Sequence, residues 1–457
     1  MNHTPTRTQI SRSVRSILIG SSTALALSAG GGVVAAEPQD IDVLKDQVRM
    51  LMERIDELEQ QQAASDRKTT EHEEQLSQAK ERVETAPANV VTAGDTPGSF
   101  KIPGTDTSVS ISGYVKGDVI YDLDADVGDS FSVGAIPNDG VSTKDNVRLH
   151  ARQSRLRVGT NTDVGNGSSI DTLIEGDFFG SGGNELFSNS SGFRIRHAYG
   201  EYNTPGGSFL AGQTWTLFGG FNYVPTVDFF APNGQTFLRQ GQVRWTLPNG
   251  FAVGLENPET FFGFGQTAES VDELPDLVAK WTGGPGGAGG TYNISGVVRQ
   301  VGGIGTGIDG AAFDDTETAW GIHAGGTWDL DSVLFTTGVA LGDGLGRYHL
   351  ANTSAGVVGV GGQLETIEQY GVTAGLTFRT SDTSSVNLNL GYSERDDEFA
   401  ALTPTADENG LSLHANYMWS PWPGTNFGVE VIHGQREQFD GVDGDATRLQ
   451  FGAQRSF

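Results

Sequence analysis

From about residue 109 to the end of the chain, apolar and polar residues alternate with a period of two. In the first such segment Val109, Ile111, Val115, Val119 and Leu123 hold odd positions, and serine, lysine and aspartate hold most of the even ones. Successive side chains of a β-strand point to opposite faces, so this pattern predicts strands with one apolar and one polar face. The alternation alone fits a soluble all-β domain as well as a membrane barrel whose apolar face contacts lipid.

The connections between these segments separate the two interpretations. Roughly every second connection is a tight turn, as at 204–207 and 248–250, and the others are long polar loops, as at 124–146 and 342–365. A soluble sandwich has no reason to sort its connections in this way, whereas an outer-membrane barrel has short periplasmic turns and long external loops. Residues 109–457 are therefore expected to form an all-β transmembrane barrel of about 16 antiparallel strands. These strands are predicted to begin near Val109, Val147, Ser169, Phe193, Ser208, Phe237, Gly250, Pro275, Thr291, Thr318, Val333, Thr366, Ser385, Leu411, Thr425 and Arg448.

Aromatic residues near the strand ends support the membrane interpretation, because such residues form girdles at the two lipid–water interfaces. The last segment alternates through Leu449 and Phe451 and ends on Phe457, which resembles the assembly signal of outer-membrane barrels. Arg455 departs from the apolar alternation near that end. The girdle candidates are Trp245, Trp281, Trp328, Tyr417, Trp419 and Trp422.

The first 36 residues have the organisation of a signal peptide. Arg7, Arg12 and Arg15 precede an apolar stretch at 17–27, and small residues lead to a cleavage site after Ala36. A transmembrane anchor is the alternative, but serine and glycine interrupt the apolar stretch. Export across the inner membrane is expected.

A heptad pattern follows over residues 37–84 and predicts an α-helical coiled coil in the periplasm. Such a 3-4 spacing keeps one apolar seam facing a partner helix. β-branched residues at the first seam position with leucine at the second favour two strands, and a lone amphipathic helix lying on the barrel is the other interpretation. A linker at 85–108, rich in proline, glycine and threonine, is expected before the barrel. The seam consists of Ile41, Val48 and Ile55 at one position and Leu44, Leu51 and Leu58 at the other.

Composition excludes several functional classes. The 457 residues include no cysteine, which removes disulfides and thiolate metal sites, and the formal net charge of -28 disfavours binding to nucleic acid. The sequence has no Gly-x-Ser-x-Gly elbow, no His-Glu-x-x-His and no P-loop, so no enzyme, cofactor or metal site is predicted. A membrane-embedded hydrolase with serine and histidine paired across strands stays open.

Basic residues are concentrated in the second, fourth and sixth predicted strands. Arg155 and Arg157 share a face opposite Leu156 and Val158, whereas Arg148 and Arg152 fit this parity only if a β-bulge lies near 153–154. Rings of arginine or lysine select anions in pores, so a positive constriction is expected. For any single arginine, an equally good interpretation is a structural ion pair that rigidifies the wall. The candidate pore-lining residues are Arg155, Arg157, Arg194, Arg196, Arg244, Lys116, Asp118, Glu175 and Asp177.

One predicted connection, residues 217–236, contains five aromatic residues and is called the aromatic loop below. Phenylalanine and tyrosine at this density are costly to expose to water. The loop is therefore expected either to fold into the lumen and narrow it or to pack between subunits.

Six short segments carry motifs of a known family: Ala151 to Leu156, Glu175 to Phe178, Arg194 to Glu201, Leu210 to Trp215, Val243 to Trp245 and Leu255 to Glu259. They resemble those of the DcaP-like porins of Gram-negative bacteria. The resemblance implies a sixteen-stranded trimeric porin in the outer membrane, among lipid and lipopolysaccharide, whose periplasmic helices associate. It also implies diffusion of small anionic solutes, dicarboxylates in particular, past a basic constriction. An outer-membrane tether that uses the coiled coil is the alternative function.

Overall fold

Two units make up this computed structural model, Met1–Pro87 and Ala88–Phe457. The predicted signal peptide, 1–36, lies outside the described residues. No helix in the described part of the chain is long and apolar enough to cross a membrane. The residues that the structure describes are 38–84, 90–139, 141, 144–182, 188–351 and 355–457.

The first unit contains a single long helix among its described residues, α1 (Pro38–Glu84), which confirms the predicted helical region. Its polar and charged majority keeps the helix solvated, and its apolar residues recur at heptad spacing. The seam residues Val48, Leu51, Ile55 and Leu58 are all exposed in the single chain. This seam is available for packing against another helix.

The second unit is a closed antiparallel barrel with sixteen strands in its described residues. Each strand pairs with the next along the chain, and the last pairs with the first, so no edge stays open. The strand number predicted from the sequence is confirmed. The strands are β1 (Thr107–Leu123), β2 (Asn146–His150 continued by Arg155–Gly165), β3 (Ser168–Asp177), β4 (Arg194–Thr204), β5 (Gly207–Trp215), β6 (Arg239–Thr246), β7 (Phe251–Glu256), β8 (Asp276–Gly283), β9 (Thr291–Thr306), β10 (Ala312–Leu330), β11 (Val333–Asp343), β12 (Glu368–Ser381), β13 (Ser384–Arg395), β14 (Asp407–Trp422), β15 (Thr425–Gln438) and β16 (Asp443–Ser456).

The barrel is closed by the two ends of the strand array. Tyr114 of β1 stands opposite Ser456 of β16. Just beyond, Gly113 and Phe457 exchange two backbone hydrogen bonds, with N···O distances of 3.2 and 3.1 Å. Arg455 donates to the carbonyl of Pro423 at 2.5 Å, so its polar head is bonded at the turn after β14.

The two faces of β1 follow the predicted alternation. Val115, Val119 and Leu123 are exposed on the outside of the barrel, whereas Lys116 and Asp118 are buried on the inside. This is the pattern of a strand with lipid on one side and a polar interior on the other.

The two rims differ as the sequence predicted. Five connections on one rim contain two residues each within the described chain, for example 166–167 and 331–332. The opposite rim carries the long connections 124–145, 216–238 and 344–367. Connections after β9 and β15 on that rim are short because these strands themselves extend further. Aromatic pairs lie close to the short-turn rim, as the stacked rings of Trp328 and Phe335 show.

Strand β2 is interrupted where the sequence predicted a bulge. Asp118 of β1 pairs with His150, and Tyr114 pairs with Arg155, so residues 151–154 stand opposite only three residues of β1. One extra residue is therefore inserted as a tight turn, closed by a bond from Ser154 N to the carbonyl of Ala151 at 3.0 Å. The predicted change of parity is confirmed, and it directs Arg155 toward the interior.

Candidate functional site

The aromatic loop folds into the lumen, which decides between the two placements expected from the sequence. Where it leaves β5, the backbone N–H of Leu217 donates to Glu256 Oε1 at 2.7 Å, and that of Gly219 donates to Ser295 Oγ at 2.7 Å. Lys280 Nζ donates to the carbonyl of Gly219 at 2.6 Å. These partners belong to β7, β9 and β8, so the loop descends along this wall of the barrel.

The tip of the loop reaches strands far from those that carry it. Asn389 of β13 accepts from the N–H of Val224 at 2.8 Å. On β15, one carboxylate oxygen of Glu430 accepts from the N–H groups of both Val227 and Asp228, at 2.8 and 2.6 Å. Because the loop begins at β5 and is held at β13 and β15, it narrows the lumen.

Glycines allow the loop to bend and to approach the wall closely. Gly219 has φ +87° and Gly234 has φ +81°, both in the left-handed region that a side chain disfavours. A Cβ on Gly219 would lie 1.7 Å from the hydroxyl of Thr236, and one on Gly234 would lie 2.1 Å from the carbonyl of Tyr392. Residues other than glycine therefore do not fit at these two bends.

A buried ionic network lies beneath the loop tip. Arg448 contacts Asp122 with Nε at 2.6 Å and Asp228 of the loop with Nη1 at 3.1 Å. Lys116 pairs with Asp118 at 2.9 Å and donates to the carbonyl of Val227 at 2.6 Å. Lys116 and Asp118 were predicted to line the pore. In the structure both are buried beneath the loop tip, and Lys116 bonds to it directly.

A second group of charges is called the arginine cluster. It consists of Arg155 on β2, Arg194 and Arg196 on β4, and Arg239 at the start of β6. The carboxylates that face it, Glu175 and Asp177, lie on β3. Arg196 is buried and pairs with Glu175 and Asp177, both at 2.9 Å. Arg194 pairs with Asp177 at 2.7 Å, and Arg155 lies 3.5 Å from Glu175. Two carboxylates therefore serve several guanidinium groups.

Aromatic rings alternate with these guanidinium groups. Phe229 of the aromatic loop has Arg194 at 5.4 Å and Arg196 at 5.6 Å from its ring centre. Trp215 at the end of β5 has Arg196 at 5.8 Å and Arg239 at 4.8 Å. Cation–π attraction of this kind stabilises cations without neutralising their charge.

The predicted arginines occupy different surroundings in the barrel. Arg157 is exposed and forms no ion pair with a described carboxylate, and Arg244 is half-buried on β6. Arg148 instead pairs with Asp126 of the loop after β1 at 3.0 Å. The structure therefore brings together Arg155, Arg194 and Arg196 with Glu175 and Asp177, and leaves Arg157 and Arg244 outside that group.

The candidate pore-lining residues predicted from the sequence do not include three residues of this region, Trp215, Arg239 and Arg448. Arg239 and Trp215 lie at strand ends, where the inward–outward alternation no longer fixes their direction. Arg448 was noted only as the start of the last strand. A signal for the first two is their position directly beside the aromatic loop, since they flank its two ends.

Comparisons with known proteins agree with this architecture. The model of the DcaP outer membrane protein family matches residues 32–248. The outer membrane channel DcaP of Acinetobacter baumannii is 27% identical, with a TM-score of 0.69, and the match covers 80% of this chain and 100% of that one. The anion-selective porin from Comamonas acidovorans is 15% identical, with a TM-score of 0.50 over 77% of this chain and 100% of that one, and shows the fold alone. No curated protein sequence matches the chain.

Proposed function

Because the protein is a DcaP-like outer-membrane channel, we propose that it conducts small hydrophilic anions by passive diffusion, with a preference for carboxylates and dicarboxylates. The fold and family account for a channel. The anion preference rests on the charges of the lumen, and the dicarboxylate preference on the resemblance to the family. No catalytic step is part of this proposal.

One observation carries the anion preference: the arginine cluster holds more positive than negative charge. Four guanidinium groups, those of Arg155, Arg194, Arg196 and Arg239, face the two carboxylates of Glu175 and Asp177, which leaves two positive charges. The side chain of Arg194 is 35% exposed and that of Arg155 is 21% exposed, so part of this charge is in contact with water.

The acidic groups on the other side of the aromatic loop do not cancel this effect at the solute path. Asp122 and Glu430 lie on the wall beneath the loop tip, Asp228 belongs to the tip, and each of the three is at most 2% exposed. Each accepts hydrogen bonds or contacts Arg448, so its charge is held by protein groups. Of the charges in these two groups, those in contact with water are therefore positive, which supports a preference for anions.

We expect the purified protein in planar bilayers to show a reversal potential of the sign for anion preference under a potassium chloride gradient. Replacing both Arg155 and Arg157 by serine should weaken that preference, because it removes two accessible cations from the lumen. Cation preference in the unaltered protein would contradict the proposed function. Unchanged selectivity in the double variant would assign these two residues to a structural role.

We propose that the helix α1 lies in the periplasm and that the functional unit is a homotrimer. Support comes from the exposed seam on α1, which includes Val48, Leu51, Ile55 and Leu58. Burying such a seam against the same helix of other copies removes apolar surface from water. The family resemblance favours three copies over the two that the heptad rule favours.

Replacing Leu51 and Leu58 by asparagine should weaken this association. Light scattering in detergent is expected to give a trimer mass for the unaltered protein and a larger fraction of smaller species for the variant. In planar bilayers the variant should still conduct. The matched control replaces two exposed residues on the side of the helix opposite the seam, Asp46 by asparagine and Glu53 by glutamine, and should stay trimeric. A monomeric or dimeric unaltered protein would contradict the proposal.

A further inference from the structure

We infer that Arg239 is the specificity-determining residue of the pore and binds the carboxylate of the passing solute at the mouth of the arginine cluster. This inference rests on the proposed anion channel and names the group that acts within it. Arg239 begins β6, at the point where the chain returns from the lumen to the barrel wall. The proposed solute path lies between the aromatic loop and this wall, next to Arg239.

Arg239 differs from its neighbours in having no carboxylate partner. Arg194 and Arg196 form ion pairs with Asp177, and Arg155 lies near Glu175. Among the described residues, no carboxylate lies within ion-pair distance of Arg239. One of the two positive charges that the carboxylates of the cluster leave unneutralised is therefore located at this residue.

Two aromatic rings lie beside the guanidinium group of Arg239, which is half-buried. The group lies over the face of Trp215 at 4.8 Å and near Phe237 at 6.0 Å from the ring centres. A guanidinium stacked on a ring uses its flat face, and its N–H groups point outward in the plane. Arg239 Nη1 is buried and has no hydrogen-bond acceptor among the described residues.

A buried charged donor without an acceptor is costly, so the arrangement favours a ligand that supplies one. A carboxylate is planar, carries two acceptor oxygens and matches the guanidinium edge with two parallel hydrogen bonds. A halide offers neither feature. The chemical class recognised here is thus a small organic carboxylate, bound in preference to a halide of the same charge.

The charged groups around the site favour an anion at Arg239 over one at Arg244, the next arginine on the same strand. Arg194, Arg196, Arg155 and Asp177 face Arg239, so cations outnumber carboxylates there. Arg244 faces the carboxylates of Glu201 and Glu256 and the phenol of Tyr199. An anion near Arg244 meets negative charge, whereas an anion near Arg239 meets positive charge.

The test measures ion permeabilities of Arg239→Gln and of the unaltered full-length protein in planar bilayers. Acetate and succinate are the probes, each compared with chloride. Arg239→Gln is expected to lower the permeability of succinate and acetate relative to chloride several-fold and to reduce the overall anion preference. Arg239→Lys should keep the overall anion preference, because the charge remains, but lose most of the preference for carboxylates over chloride.

Two further variants separate this inference from its alternatives. Arg244→Gln removes the same charge from the same strand and should change the carboxylate preference much less. Arg379→Gln removes an exposed arginine at the short-turn rim, which pairs with Asp329 at 2.7 Å, and should change nothing. Equal effects of Arg239→Gln and Arg244→Gln, or no effect of Arg239→Gln in a channel that prefers anions, would overturn the inference. A cation-selective unaltered protein would instead overturn the proposed function.

Discussion

Replacing Arg448 by leucine should destabilise the barrel by about 3–5 kcal/mol, since it leaves two buried carboxylates without their cation. Arg448 contacts Asp122 with two nitrogens, at 2.6 and 2.9 Å, and Asp228 with a third at 3.1 Å. All three side chains are at most 2% exposed. The desolvation of Asp122 and Asp228 is therefore compensated by this one guanidinium group to a large degree.

The free energy of unfolding can be measured by urea titration in detergent micelles, followed by tryptophan fluorescence. Arg448→Lys keeps a charge but cannot reproduce the bidentate contact, so an intermediate loss is expected, and it provides the comparison if the leucine variant does not fold. Arg379→Leu, which breaks an exposed pair with Asp329, should have little effect. An unfolding midpoint of Arg448→Leu equal to that of the unaltered protein would contradict the structural role.

The free energy of unfolding of Arg448→Leu should also change with pH, in a direction that the pKa of Asp228 determines. Burial raises the pKa of Asp228, and Arg448 opposes that rise. Without Arg448 the pKa rises further, so the folded state binds a proton that the unfolded state has already lost at the same pH. Stability of Arg448→Leu relative to the unaltered protein is therefore expected to increase as the pH falls.

Replacing Glu430 by alanine should release the tip of the aromatic loop and raise the single-channel conductance. Glu430 Oε2 accepts from the N–H groups of Val227 and Asp228, and a hydrogen bond to a charged group contributes about 1.5–3 kcal/mol. Asn416 connects the same carboxylate to the carbonyl of Pro225. Loss of this acceptor leaves two buried N–H groups unpaired and favours a loop position away from β15.

Conductance steps and open-channel noise in planar bilayers measure this effect. Glu430→Gln keeps one carbonyl oxygen and should give a smaller increase. Glu437→Ala, on the exposed part of the same strand, is the matched control and should conduct like the unaltered protein. An unchanged conductance in a folded Glu430→Ala barrel would show that the loop keeps its position without this carboxylate.

The barrel could be predicted from the sequence because its cause is local. The alternation along each strand and the lengths of the connections depend only on residues that are close together in the sequence. Most predicted strand starts therefore lie within two residues of the observed ones. The larger differences occur at β10, β14 and β16, which begin earlier than predicted. These strands extend beyond the apolar band, where polar residues such as Asp314 and Asp445 no longer alternate with apolar ones.

The arrangement of the site could be predicted only in part. Arg155, Arg194 and Arg196 were found because strand parity places them in the interior with Glu175 and Asp177. Parity also places Arg239 on the opposite face from Arg244, and only the departure of the chain from the sheet at this point turns it toward Trp215. The ion pair of Arg448 joins residues that are 326 positions apart, and no local pattern encodes it.

The closing pair of strands has a consequence for how the molecule reaches its final form. β1 is made early and β16 last, so a chain still being completed has two unpaired edges, each a template for wrong association. The contacts of Arg448 and Glu430 with the aromatic loop also require the C-terminal strands, and bringing such distant segments together slows folding. Closure of the barrel is therefore expected to be a late, all-or-none event that requires the pairing of Phe457 with Gly113. A chain shortened by one strand should remain open and be degraded by periplasmic proteases.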